Sequence, residues 1–145
     1  MSPAAPFGGG VFIADTSAWL RSGLPSVVGD WIEALRAGQV ATCAPVMIEV
    51  LYTARNAEEL DEVEARLRGI REIPVTRSVT QAAIWAMREL ARKGALHHRV
   101  PLPDLLVAAA AQEAGVGVLH CDRHFDRLAE VLDFESRWLV PPAMP

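Results

Sequence analysis

The stretch GGGVFIADTSAWL, residues 8–20, decides the fold class. Val11, Phe12, Ile13 and Ala14 are apolar at consecutive positions, so a strand made from them is covered on both faces, as in a parallel sheet packed between helices. The run ends in a carboxylate and two hydroxyls, Asp15, Thr16 and Ser17. Working outward, VATCA (40–44), REIPVT (71–76, interrupted by Pro74), VGVLHC (116–121) and ESRWLV (135–140) read as further strands. Helical stretches fall between them. Val27 to Arg36 stops at Gly38, Val46 to Ala54 follows Pro45, and Glu58 to Arg68 carries an apolar stripe of Leu60, Val63 and Leu67. Ser78 and Gln81 have capping-box spacing and open a helix with the inward stripe Val79, Ala83, Met87 and Leu90. LHHRVPLP (96–103) reads as a loop with His97 and His98 in solvent, and from Asp104 a helix runs that is apolar all round over Leu105 to Ala111. DRHFDRLAEVL (122–132) supplies the last helix. Strands alternating with helices predict an α/β sandwich with a mainly parallel sheet of four to five strands, whose functional sites form beyond the carboxyl ends of the strands.

The 145 residues suit one domain, which we place over residues 11–145 after a flexible lead-in at residues 1–10. Hydrophobic residues are 51% of the chain and the 22% of charged residues are scattered, which excludes a disordered protein. No apolar run approaches the roughly 20 residues that cross a bilayer, and the N-terminus has neither the basic nor the apolar part of a secretory signal. The expectation is a cytoplasmic protein with no membrane partner. Cys43 and Cys121 form no CxxC pair and read as small buried residues. A net charge of −4 argues against a simple basic nucleic-acid binder. The objection weakens if several carboxylates sit on metal ions that neutralise them locally.

Four acids occupy matching places. Asp15 and Asp122 directly follow strands, Asp104 opens the deep apolar helix, and Glu49 lies one turn into the helix after the second strand. In a parallel sheet these places share one edge. Singly, Asp15, Asp104 and Asp122 suit helix caps or first turns, and Glu49 suits a polar stripe with Thr53 and Asn56. Together, four converging carboxylates would repel one another unless cations held them. Oxygen donors select Mg²⁺ or Mn²⁺ over zinc, and such ions activate water for attack on phosphodiesters. Thr16 and Ser17 are expected to orient Asp15 or a water, or else to be turn hydroxyls. Asp126, one helical turn after Asp122, faces the same cleft or pairs with Arg123 or Arg127. His120 and His124 are four apart, but one falls on a strand and the other on a helix, which breaks the one-face geometry of a zinc pair.

IADTSAW, the Glu49 of PVMIEVL, PDLLVAAAA from Asp104 and LHCDRHFDRLA resemble, in order and spacing, the PIN-domain family and especially the VapC toxins of bacterial toxin–antitoxin pairs. The resemblance runs from Val11 over nearly the whole chain. It implies a three-layer α/β/α sandwich, endoribonuclease activity with Mg²⁺ or Mn²⁺ as cofactor, an RNA substrate, a homodimer and a cognate VapB-type antitoxin. Asp15, Glu49, Asp104 and Asp122 match the family's catalytic, metal-holding acids, and Asp126 matches an accessory acid. The chain departs at His120, where many relatives carry Thr, and at His124, a position that is often acidic.

Other classes fit less well. A phospho-accepting receiver needs paired acids after its first strand and a late Lys, whereas Asp15 has no acidic neighbour and Lys93 ends a helix. A DxD phosphatase needs an acid where Ser17 stands. A catalytically inactive PIN-like binding module remains the alternative. Trp19, Leu20 and the helix containing Trp31 are expected to contribute surface for an antitoxin or a second protomer, against core packing as the plainer reading of each Trp.

Overall fold

The computed structural model describes residues 6–142. Strands β1 (Phe12–Ala14), β2 (Val40–Cys43), β3 (Arg71–Ile73), β4 (Gly117–His120) and β5 (Ser136–Trp138) form one sheet in the order β3-β2-β1-β4-β5. Every neighbouring pair is parallel. The helices are α1 (Thr16–Arg21), α2 (Val28–Arg36), α3 (Ala44–Tyr52), α4 (Ala57–Arg68), α5 (Arg77–Lys93), α6 (Leu102–Ala114) and α7 (His124–Leu128).

Alternation along the central strands divides the core in two. Phe12, Ala14, Val40 and Leu119 pack on Ala18 of α1 and on Trp31 and Ala34 of α2. Ile13, Ala41, Cys43 and Val118 point the other way, onto α5, α6 and the inner residues of α3, α4 and α7. This is the expected α/β/α sandwich, and α6, buried at Asp104, Leu105 and Val107 to Ala111, is its deepest helix. No helix among the described residues is long and apolar enough to cross a membrane. Burial pushes the Cys43 thiol up to about 12, as fits a small core residue.

The chain winds outward from β1 through β2 to β3, then returns to lay β4 on the other side of β1. The point between β1 and β4 is therefore a topological switch, where the loops leaving the two strands diverge and open a crevice. The strands approach closely there. A Cβ on Gly117 would lie 2.7 Å from the Phe12 ring and 3.0 Å from the Glu135 carbonyl, so only glycine fits.

Several boundaries differ from the sequence expectation. Helix α6 starts at Leu102, because Pro101 is its N-cap residue and a proline in the first turn costs no hydrogen bond. The cap of α5 is Thr76, whose hydroxyl accepts from Val79 N, instead of Ser78. The last helix ends at Leu128, and β3 stops before Pro74. His97 and His98 are half-buried in their turn instead of solvated. Of the lead-in at 1–10, residues 1–5 lie outside the described residues. The rest is attached: Phe7 is buried against Phe12, and Gln39 Nε2 donates to the Gly8 and Gly10 carbonyls.

Candidate active site

Asp15 directly follows β1. Its backbone N–H still donates to the Leu119 carbonyl of β4 at 2.9 Å, so the carboxylate leaves the sheet at the switch point. It also caps α1. Oδ2 accepts from Ser17 N at 3.0 Å and from Ser17 Oγ at 2.7 Å, while Oδ1 is buried with no partner among the described residues. Capping therefore accounts for one oxygen and leaves the other bare, although the residue is only 3% exposed. A buried carboxylate oxygen without a donor is costly unless a cation completes it.

Ser17 does more than cap. Its Oγ accepts from Cys121 N at 2.9 Å, tying the segment after β4 to the segment after β1. Thr16, expected to orient Asp15 or a water or else to be a turn hydroxyl, turns to Glu49, donating to Oε1 at 3.3 Å and holding that acid of α3 over the crevice. Asp104, in the first turn of α6 and 7% exposed, approaches from a fourth element. Asp122 Oδ1 accepts from His124 N at 3.0 Å.

The charges of these acids are felt mutually. Burial pushes Asp104 up to about 8, and the neighbouring charges of Asp15, Asp122 and Glu49 push the same way. Asp15 is raised by burial, opposed by its hydrogen bonds from Ser17 and by the nearby backbone N–H of Thr16, and reinforced by Asp122. Glu49 is raised by burial and by Asp15, with Thr16 opposing. Asp15, Glu49, Asp104 and Asp122 are thus brought together, and at neutral pH Asp104 keeps a proton that an isolated aspartic acid would have lost.

Sequence reasoning missed how close His124 stands. Its Nδ1 lies 2.8 Å from Asp122 Oδ1 and 3.2 Å from Asp104 Oδ2, bridging the two acids. Ligating atoms of Asp104, Asp122 and His124 all fall within 4.8 Å of one another, a span one metal ion can bridge. Set beside the bare Asp15 Oδ1, this donor set fits a divalent cation of oxygen or mixed preference. The i+2 spacing from Asp122 was the available signal.

Two expectations are corrected. Asp126 does not join the cluster: Oδ1 accepts from Ser136 Oγ at 2.8 Å and Oδ2 from Trp138 Nε1 at 3.0 Å, both on β5. Trp31 does not offer open surface, being 5% exposed with its ring edge-on to Trp19 at 4.9 Å. Leu20 does, at 64% exposure. With Trp19, Trp31, Leu35, Val63 and Ile70 it lines an apolar groove of about 770 Å³. His120 is fully buried and its pKa is lowered to about 4 by burial, with Asp126 and Asp122 opposing.

The sequence profile of the PIN domain matches residues 12–131. Ribonuclease VapC18 of Mycobacterium tuberculosis is 40% identical over 132 residues, which cover 90% of this chain and 96% of that protein. Ribonuclease VapC51 of the same organism is 35% identical over 130 residues, with 90% and 93% covered. Among solved structures, the DNA-bound VapBC of Salmonella typhimurium matches with a TM-score of 0.73 at 16% identity, over 91% of this chain and 100% of that one. VapBC-5 of Mycobacterium tuberculosis matches with a TM-score of 0.64 at 23% identity, over 90% and 99%. These two likenesses are of fold.

Proposed function

The chain belongs to the PIN-domain family, and from that membership we propose that it is the RNA-cleaving toxin of a VapBC-type toxin–antitoxin pair, a phosphodiester hydrolase dependent on Mg²⁺ or Mn²⁺. The observation that carries this reading is the meeting of Asp15, Glu49, Asp104 and Asp122 at the switch point, with Asp104 pushed to about 8. Burial of an acid among three further carboxylates has no use in a domain that only needs caps. We assign the four acids to hold the ion, with His124 beside Asp104 and Asp122.

When bound, a divalent cation supplies the positive charge that favours attack of water on a phosphodiester and offsets the acids gathered there. The rest falls to the chain. Ser17 fixes one oxygen of Asp15 and leaves Oδ1 free to bind. Thr16 sets the Glu49 carboxylate, and burial around Asp15 and Asp104 keeps the dielectric low where charge develops. Turns that expose phosphate and splayed bases are the RNA features such a crevice accepts.

The apolar groove beside Leu20 suits a short amphipathic segment of a VapB-type antitoxin. Exposed Ile48 and Tyr52, four apart on α3, suit contact with a second protomer in a homodimer.

The decisive experiment incubates purified protein with a structured RNA, with Mg²⁺, with Mn²⁺ and with chelator, beside Asp15→Asn and Asp104→Asn. Cleavage that needs the metal and falls at least about 100-fold in both variants is expected. Absence of metal-dependent cleavage on any RNA tried supports the binding-module alternative. Cleavage unchanged in both variants rejects the site assignment.

A further inference from the structure

His120 ends β4 at a position where register turns it onto the α7 side of the sheet, against Phe125 at 4.9 Å and Trp138 at 5.0 Å between ring centroids. A fully buried imidazole must have both nitrogens satisfied. Here every proton can be assigned. Both oxygens of Asp126 accept, from Ser136 Oγ and Trp138 Nε1, so Ser136 spends its single hydroxyl proton on Asp126. Toward His120 the same hydroxyl can then only accept, and the 2.7 Å contact requires the proton on Nε2. The ring is neutral and Nδ1 is bare. Nδ1 accepts the backbone N–H of Asp122 at 3.1 Å.

We infer that Asp126, Ser136 and His120 form a relay of oriented hydrogen bonds running from α7 through the outer strand β5 to the main chain of Asp122, with His120 as a positioning residue for that acid. The inference rests on the reading of Asp122 as a metal-holding residue. Asp122 is then held twice, its N–H by His120 and its Oδ1 by His124 N. It also gives a task to Asp126, whose two oxygens are both occupied by donors of β5. The relay runs from an exposed carboxylate to a fully buried ring, so the edge of the sheet sets the geometry of the crevice.

The test uses the full chain labelled with ¹⁵N. Multiple-bond ¹H–¹⁵N spectra of the imidazole nitrogens are expected to show His120 protonated on Nε2 and bare on Nδ1. Mn²⁺ affinity by titration calorimetry, and kcat and KM on a structured RNA, are then compared for Ser136→Ala and Ser136→Thr. Ser136→Ala is expected to weaken Mn²⁺ binding about fivefold, as loss of one modest hydrogen bond does, and to lower kcat with KM unchanged. Ser136→Thr keeps the hydroxyl and is expected to restore both. A proton on Nδ1, or Ser136→Ala binding Mn²⁺ as tightly as the parent, overturns the relay. The spectrum of the unsubstituted protein decides the first point even if the alanine variant does not fold. Asp122→Asn is the control: parental Mn²⁺ affinity there means that the metal-site reading fails, and the relay loses its purpose with it.

Discussion

Asp104→Asn is expected to make the metal-free protein more stable while abolishing cleavage. The folded protein keeps the Asp104 proton up to about 8, against an ordinary value of 3.8. Below pH 4 both the folded and the unfolded chain carry that proton, and the residue costs nothing. As pH rises the unfolded chain releases its proton first, so the folded state binds more protons and its stability falls with pH until the folded pKa is passed. At about 1.4 kcal/mol per pH unit the gap is worth at most about 6 kcal/mol at pH 8. Relaxation and water entry around a buried charge reduce this, and a gain of about 2–4 kcal/mol for the amide is the working figure. Urea unfolding in chelator, at pH 4, 6 and 8, reads it directly. The variant and the parent are expected to coincide at pH 4 and to separate progressively, with the variant ahead. Mn²⁺ at about 1,000 times its Kd reverses the order, because it adds about 4.1 kcal/mol to the protein that binds it. A parent as stable as Asp104→Asn at pH 8 without metal would refute the account of the cluster.

Three further outcomes follow from particular contacts. Ser17→Ala removes one of the two donors to Asp15 Oδ2 and the side-chain acceptor of Cys121 N, and is expected to cost about 1–3 kcal/mol in urea unfolding and to lower cleavage more than Thr16→Ala. Gly117→Ala drives a methyl into the Phe12 ring and the Glu135 carbonyl and is expected to destabilise by about 1–3 kcal/mol, partly recovered by Phe12→Leu in a thermal melt. Leu20→Glu, on the exposed lip of the groove, is expected to leave RNA cleavage intact while weakening antitoxin binding by at least about tenfold in calorimetry.

Much of this arrangement was legible in the residues. Four-residue apolar runs with no alternation mark strands covered on both faces, and a carboxylate immediately after such a run, as at Asp15 and Asp122, has to emerge at the carboxyl edge of the sheet. Position relative to an element's end is a local property, and the sequence carries it. Side-chain direction between elements is not local. Asp126 sits one turn after Asp122, yet it turns to β5 because Ser136 and Trp138 offer two donors there, ten and twelve residues later in the chain. Thr16 likewise turns to Glu49 across 33 positions of sequence. The start of α6 was misplaced for a different reason: Pro101 and Pro103 read as loop, although a helix tolerates proline before its hydrogen bonds begin. The groove partly escaped because a large indole such as Trp31 can be buried and still line a surface depression.

The two outermost strands, β3 and β5, are only three residues long, and the first of these carries exposed Arg71 and Glu72. So short and charged a border offers another polypeptide backbone almost no template on which to extend the ladder. Pairing with a further copy of the chain is thereby directed away from the sheet borders to the helical flanks, which guards a protein expressed at high level against edge-to-edge aggregation.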